Sequence, residues 1–119
     1  MDESWDIIYY QSPSQSSSPV TDFISSLNKN AQAKIVAGLK LLEQYGIKAG
    51  SPHVKKLTGT ELWELRILGS DNIRILYVAV VNKNFLLLHG FVKKKQKTDK
   101  KEIKTAQFRL QEYESRTKY

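Results

Sequence analysis

Three apolar runs separated by short polar turns occupy residues 62–92 and constrain the fold more than any other feature. The runs are "LWELRIL", "IRILYVAVV" and "FLLLHGFV", and the turns between them are "GSDN" and "NKN". The first run alternates apolar and charged residues with the period of two that is typical of a strand with one buried face. Consecutive strands joined by short turns pair most simply as an antiparallel meander. We therefore predict a curled antiparallel sheet at the centre of the fold.

The N-terminal part predicts one strand and a pair of helices. The segment "WDIIYY" at 5–10 is rich in β-forming residues and should be the first strand. Ser18 and Pro19 have the cap and first-turn chemistry of a helix start. A second helix is predicted over 31–46, with Gly46 as its end. Its apolar stripe consists of Ala31, Ile35, Leu39 and Leu42.

A last helix is predicted from about Thr98 onward, with Thr98 or Asp99 as its cap. Its apolar side holds Ile103, Ala106, Leu110 and Tyr113. The order of elements gives an α+β fold in which the helix pair forms a hairpin on one face of the sheet. The opposite face is expected to stay partly open. A chain of 119 residues supports one domain, 1–119.

The charge of the chain is strongly uneven. Its net charge is +7, and residues 1–50 carry four lysines against five acids, whereas residues 51–119 carry 15 basic against seven acidic residues. Seven of the lysines fall within residues 93–104. A basic half beside a nearly neutral half indicates an anionic partner.

Composition excludes several classes of site. The chain has no Cys, so disulfides and thiolate metal sites are excluded, and a reducing cytoplasm is allowed. The acids are scattered and the two histidines stand alone, so we expect no metal and no cofactor. No glycine-rich phosphate loop is present. No apolar run approaches the roughly 20 residues that a membrane helix needs.

Cations on neighbouring strands are the candidates for chemistry. The period of two predicts that Arg66, Arg74 and Lys93 converge on one side of three adjacent strands. One interpretation is structural: Glu64 pairs with Arg74 across the hairpin, and Arg66 is solvated. The other is a phosphate clamp, because arginine binds phosphate oxygens through two parallel hydrogen bonds and lysine adds a point charge.

The same pattern extends to an RNA-binding groove. Phe91 shares a face with His89 and Lys93 and could stack on a base. Further basic residues, expected at the rim of the groove or along the RNA backbone, are Lys55, Lys56, Lys94, Lys95 and Lys97. Cleavage there would need no metal, since a ribose 2′-OH attacks and cations stabilise the pentacoordinate phosphate. The candidates for general acid or base are His89, His53 and Glu64.

Residues 53–110 resemble the HigB branch of the RelE superfamily of bacterial toxins. The similar motifs are "KKLTGTELWELRI", "NIRILYVAV" and "FLLLHGFVKKKQKTDKKEIKTAQFR". They contain a Glu-Leu-Arg strand, a strand with Arg-x-x-Tyr at Arg74 to Tyr77, and a strand that ends in Phe-x-Lys-Lys. A Lys/Thr-rich turn with Thr98 and a last helix with Ala106 and Arg109 complete the resemblance.

The resemblance implies a RelE-like fold and a ribosome-dependent mRNA endonuclease. It implies phosphate binding by Arg66, Arg74, Lys93 and Lys94, and a Tyr or His as acid or base. It also implies a cognate HigA-like antitoxin with a helix-turn-helix domain, and contact with operator DNA only through that antitoxin. The ribosome and mRNA are the other implied partners, and no membrane is involved.

Two other kinds of protein fit the composition. A non-catalytic RNA- or DNA-binding module would share the salt-dependent binding but would produce no cut ends. A protein-interaction domain of a mobile element would use the basic half to bind an acidic partner. A small helix-turn-helix protein encoded by the neighbouring gene would favour the toxin over both.

Overall fold

The structure, a computed structural model, describes residues 4–50, 53–69 and 72–117. Within these ranges five strands and three helices follow one another, with a short 3-10 turn at Gly46–Lys48 after the second helix. They are β1 (Asp6–Tyr9), α1 (Pro19–Ser25), α2 (Lys29–Tyr45), β2 (Val54–Lys56), β3 (Trp63–Arg66), β4 (Ile73–Val80), β5 (Asn84–Val92) and α3 (Lys100–Thr117). The α+β class is therefore confirmed. No helix in the described ranges is both apolar and long enough to cross a bilayer.

The helix boundaries follow the predicted capping chemistry. The Ser18 hydroxyl accepts a hydrogen bond from the N–H of Val20, and Pro19 opens α1. The Asn28 side chain accepts from the N–H of Ala31 at the start of α2. Gly46 ends α2 with a φ of 57°, in the left-handed region that glycine favours.

The sheet is mixed, which corrects the prediction of a purely antiparallel one. Its strand order is β1-β5-β4-β3-β2. Strands β2 to β5 form the predicted antiparallel meander, but β1 pairs with β5 in parallel. The physical reason is the connection, because a parallel neighbour needs a long crossover, and α1, α2 and the following strands supply it.

Helices pack on both faces of the sheet. One core lies on the α1–α2 face and contains Ile35, Leu42 and Leu65. A second core lies on the other face, where Ala106 and Leu110 of α3 pack against β4 and β5. The face opposite the helix pair, which was expected to be partly open, is thus covered by α3 over β4 and β5. Its remaining part carries charged residues of β2, β3 and β4.

A β-bulge near the middle of β5 changes which side chains face α3. Leu87 is paired with Tyr77 and His89 with Leu76, so Leu88 is an extra residue between the two pairs. After the bulge, His89 lies on the α3 face while Gly90 turns toward α1. A Cβ at Gly90 would lie 2.5 Å from Cδ2 of Phe23, so only glycine admits that ring.

Candidate functional site

Four cations surround one carboxylate on the uncovered part of the sheet, and we call this group the cationic cluster. The cluster consists of Lys55, Arg66, Arg74 and Lys93 around Glu64. Strand pairing explains the convergence: Lys55 is opposite Glu64, and Arg66 is opposite Arg74. Partners that are directly opposite in a sheet present their side chains to the same face. The predicted convergence of Arg66, Arg74 and Lys93 is therefore seen in the structure.

The carboxylate of Glu64 is completely buried at the centre of the cluster. Its Oε1 lies 3.6 Å from Nε of Arg74 and 4.0 Å from Nε of Arg66. Thr98 donates a hydrogen bond of 2.5 Å to Oε2. The predicted pairing of Glu64 with Arg74 is thus seen, but Arg66 also lies near the carboxylate rather than only in solvent. The phosphate clamp stays a prediction.

Polar atoms inside the cluster are left without hydrogen bonds. Among the described residues, Oε1 of Glu64 and the Nε atoms of Arg66 and Arg74 are buried and have no hydrogen-bond partner. Burying such groups unpaired costs free energy. The two Nε atoms lie nearest to Oε1, at distances too long for a hydrogen bond, so charge rather than hydrogen bonding joins the arginines to Glu64.

Burial and neighbouring positive charges both disfavour the charged forms of Arg74 and Lys93. Burial lowers the pKa of Arg74, Glu64 opposes that shift, and the neighbouring Arg66 adds to it. Burial likewise lowers the pKa of Lys93, which Glu64 raises and the other three cations lower. One carboxylate does not neutralise four cations, so the cluster favours binding of an anion.

A groove lined by lysines adjoins the cluster, and we call it the lysine groove. Its volume is about 280 Å³. It is lined by Phe91, Val92, Lys93, Lys94, Lys95, Lys97, Asp99, Lys101 and Glu102. Lys93 belongs to both the groove and the cluster. The lysine run therefore forms one wall of a cavity that starts where the arginines converge.

Phe91 forms part of the groove but exposes little of its ring. The side chain is 6% exposed and stacks on the imidazole of His89, with ring centroids 5.4 Å apart and planes at 20°. In this conformation a nucleobase reaches only a small part of the ring. Base stacking by Phe91 stays a prediction.

Both ring nitrogens of His89 are engaged by residues of α3. Nε2 lies 2.8 Å from Oε1 of Glu102, and Nη1 of Arg109 donates to Nδ1 over 3.2 Å. Arg109 also donates to the carbonyl oxygen of Leu88. Because Arg109 can only donate, this arrangement assigns the proton of a neutral imidazole to Nε2. Burial lowers the pKa of His89, the Glu102 hydrogen bond opposes the shift, and Arg109 adds to it.

A match to a known protein family covers most of this structure. The family described as "Phage derived protein Gp49-like" (DUF891) matches residues 22–111. The chain belongs to this family. Gp49-like proteins are members of the RelE/ParE-like toxin superfamily and are associated with the toxins of toxin–antitoxin systems, which implies an antitoxin partner. No curated protein matches the chain.

Two residues that the sequence singled out lie apart from the site of this Gp49-like chain, and a third, His53, lies beside Arg66. Lys56 is opposite Trp63 on the other face of the sheet from Lys55, and its ammonium group donates to the carbonyl oxygen of Thr60. Tyr77 is buried in the core under the helix pair, and burial raises its pKa. The carbonyl oxygen of His53 accepts from the N–H of Arg66, and both residues line a cavity beside α2 that is separate from the lysine groove.

The structure also adds residues to the site of the Gp49-like chain. Of the two predicted caps of α3, Asp99 is the one that accepts from the N–H of Lys101, and the hydroxyl of Thr98 donates to Glu64 instead. Glu102 and Arg109 fix the ring of His89. Their spacing of seven residues places both on one side of α3, a signal that the sequence contains. Within the described ranges, no three His, Asp or Glu side chains lie close enough to hold a metal ion.

The pH dependence of stability should report on His89. The folded state holds a lowered pKa at His89, whereas the unfolded chain keeps an ordinary value of about 6.5. As the pH falls below about 6.5, the unfolded state takes up the proton first, so the free energy of unfolding decreases. The decrease ends once the pH has passed the pKa of the folded state.

Urea unfolding of the parent and of His89→Gln, at pH values above and below this window, measures the effect. The parent should lose more stability than the variant on acidification, and His53→Gln, which removes the other imidazole, is the matched control. An equal loss in all three proteins would contradict a shifted His89.

Proposed function

We propose that this Gp49-like chain is the HigB-type toxin of a type II toxin–antitoxin system and that it cuts mRNA on the ribosome. The observation that carries the proposal is the cationic cluster, in which cations from three adjacent strands and from the residue after β5 converge on one buried carboxylate. Such an excess of positive charge suits a bent phosphodiester. The adjoining lysine groove extends the charge along the path of an RNA backbone.

The proposed reaction is a transfer of the phosphoryl group within the RNA. The ribose 2′-oxygen bonds to phosphorus as its proton leaves to a base, and the bond from phosphorus to the 5′-oxygen breaks. The 5′-oxygen takes a proton, which leaves a 2′,3′-cyclic phosphate and a 5′-hydroxyl end. Arg66, Arg74 and Lys93 stabilise the charge that develops on the phosphate oxygens in this metal-independent route.

Of the candidates for proton transfer, we favour His89 over Glu64. Glu64 is enclosed by two arginines and Thr98, and only 1% of its side chain is exposed. His89 is 16% exposed, and its partner Glu102 lines the lysine groove. A shift of Glu102 away from Nε2 would open the imidazole to the RNA.

The proposed partners follow from the same activity. A HigA-like antitoxin with a helix-turn-helix domain neutralises the toxin in this proposal, and operator DNA is contacted only through that antitoxin. Because the substrate is mRNA on a translating ribosome, the proposed place of action is the cytoplasm.

Expression of the chain without its antitoxin should arrest growth, and primer extension should show new mRNA 5′ ends. The ends should appear in a translating extract and be absent from the same mRNA without ribosomes. Co-expression of the antitoxin should restore growth. Growth arrest without cut ends would instead indicate a non-catalytic RNA-binding module, and no cleavage in the presence of active ribosomes would refute the proposed enzyme.

A further inference from the structure

An exposed aromatic side chain lies on α3 beyond the lysine groove. Phe108 is 70% exposed. It lines a shallow second groove of about 480 Å³ between α3 and the segment after β1, which also contains Tyr10, Ser12, Gln15 and Lys104. Polar groups therefore surround the exposed ring, namely the ammonium group of Lys104, the hydroxyls of Tyr10 and Ser12 and the amide of Gln15. Such surroundings are unusual for an aromatic side chain that binds an apolar protein surface.

One exposed stripe of α3 joins this second groove to the lysine groove. The stripe consists of Lys101, Lys104 and Phe108, which are all exposed. Their spacings of three and four residues place them on one side of the helix. Lys101 also lines the lysine groove. The distance along the helix axis from Lys101 to Phe108 is roughly 10 Å.

The carboxylates near this path are already engaged by other groups. Oδ2 of Asp99 lies 3.7 Å from Nζ of Lys95. Glu102 is bound to His89, and Glu112 accepts from Tyr10 and from Arg116. The stripe therefore presents ammonium groups and an aromatic ring along its length.

We propose that the stripe is a second contact for single-stranded RNA, in which a base stacks on Phe108 and Lys104 binds a neighbouring phosphate. Aromatic platforms combined with a basic groove are how proteins hold single strands without reading their sequence. Across the groove, Oε1 of Gln15 accepts from the N–H of Ser12, and the NH2 group of the same side chain can bond to a base edge or a ribose. The inference rests on the proposed function for the identity of the RNA, but the contact itself does not depend on cleavage.

Binding of a fluorescein-labelled oligoadenylate of about 12 nucleotides to the purified full chain tests the contact. Phe108→Ala should weaken binding about tenfold or more, and Phe108→Trp should retain it. Because Phe108→Ala removes no charge, the dependence of affinity on salt should keep its slope. Lys104→Gln should instead reduce that slope by about 0.7. Tyr45→Ala, at the end of α2 and 52% exposed in the parent, is the matched control and should bind like the parent.

The outcomes separate this inference from the proposed function. Equal affinities of the parent, Phe108→Ala and Tyr45→Ala would overturn the inference, and cleavage by the parent in a translating extract would leave the proposed function standing. A loss of affinity in Phe108→Ala without cleavage by the parent would support the contact and refute the enzyme. A Phe108→Ala variant that keeps its RNA affinity but no longer binds the antitoxin would assign the stripe to a protein partner and overturn the inference.

Discussion

Replacing Arg66 with Gln is expected to lower the rate of mRNA cleavage by about 100-fold, the usual loss for one group that stabilises developing charge. The side chain of Arg66 is 32% exposed and its Nε lies 4.0 Å from the carboxylate of Glu64. It is thus the arginine of the cluster that is bound least tightly within the protein and is most accessible to a phosphate. The rate is measured by primer extension in a translating extract, with growth arrest as the cellular readout.

The same change should leave the fold nearly intact. The ion pair between Arg66 and Glu64 is long, and Glu64 keeps Arg74 and Thr98 as partners without it, so its loss should cost about 1 kcal/mol of stability. Urea unfolding of Arg66→Gln and of the parent should therefore give similar midpoints. This separates a chemical role from a structural one.

Arg66→Lys is the matched control, because it keeps the charge but loses the planar fork. Partial activity is expected, since lysine still acts as a point charge but cannot bind two oxygens at once. Arg74→Gln offers a second comparison, in which activity and stability should fall together because the side chain is only 15% exposed and lies 3.6 Å from Glu64. Full activity of Arg66→Gln would show that the cluster does not act on the phosphate.

The convergence of cations could be predicted from the sequence because it depends on short-range rules. The period of two within a strand and the short turns between strands are enough to place Arg66 beside Arg74. The caps at Ser18 and Asn28 are equally local, since each side chain bonds to a backbone N–H two or three residues ahead. Contacts of this kind can be predicted because both partners are close together in the sequence.

The bulge in β5 could not be predicted in the same way. Counting by twos from Phe85 would place His89 on the face of the helix pair, together with Leu87. The extra residue Leu88 reverses the later positions, which is why His89 and Phe91 meet α3 instead. Nothing in the apolar run "FLLLHGFV" distinguishes the residue that bulges, because every position there suits a buried strand.

Long-range contacts were also beyond the sequence patterns. The parallel pairing of β1 with β5 joins segments that are separated by most of the chain. The hydrogen bond from Thr98 to Glu64 spans 34 residues and depends on where α3 docks. Sequence periodicity indicates which face of an element is apolar, but it carries no information on which partner covers that face.

The second large effect concerns the buried carboxylate of the cluster. Glu64→Ala is expected to reduce the free energy of unfolding by roughly 3–5 kcal/mol, the cost of removing one partner from a buried ion pair. Without this carboxylate, the guanidinium groups of Arg66 and Arg74 and the ammonium group of Lys93 would repel one another inside a partly buried site. Since a domain has only about 5–15 kcal/mol of stability, the variant should be near its folding limit.

Two milder variants keep this prediction measurable if Glu64→Ala does not fold. Thr98→Val removes only the hydrogen bond to Oε2 and should cost about 1 kcal/mol. Glu64→Gln keeps the shape of the side chain but loses its charge, so its loss should lie between the other two. Added salt should restore part of the stability of Glu64→Gln by screening the cations, but should change Thr98→Val little. Urea unfolding at low and high salt measures the stability of all three variants. If Glu64→Gln were as stable as the parent at low salt, the charge of Glu64 would not be needed to hold the cations together.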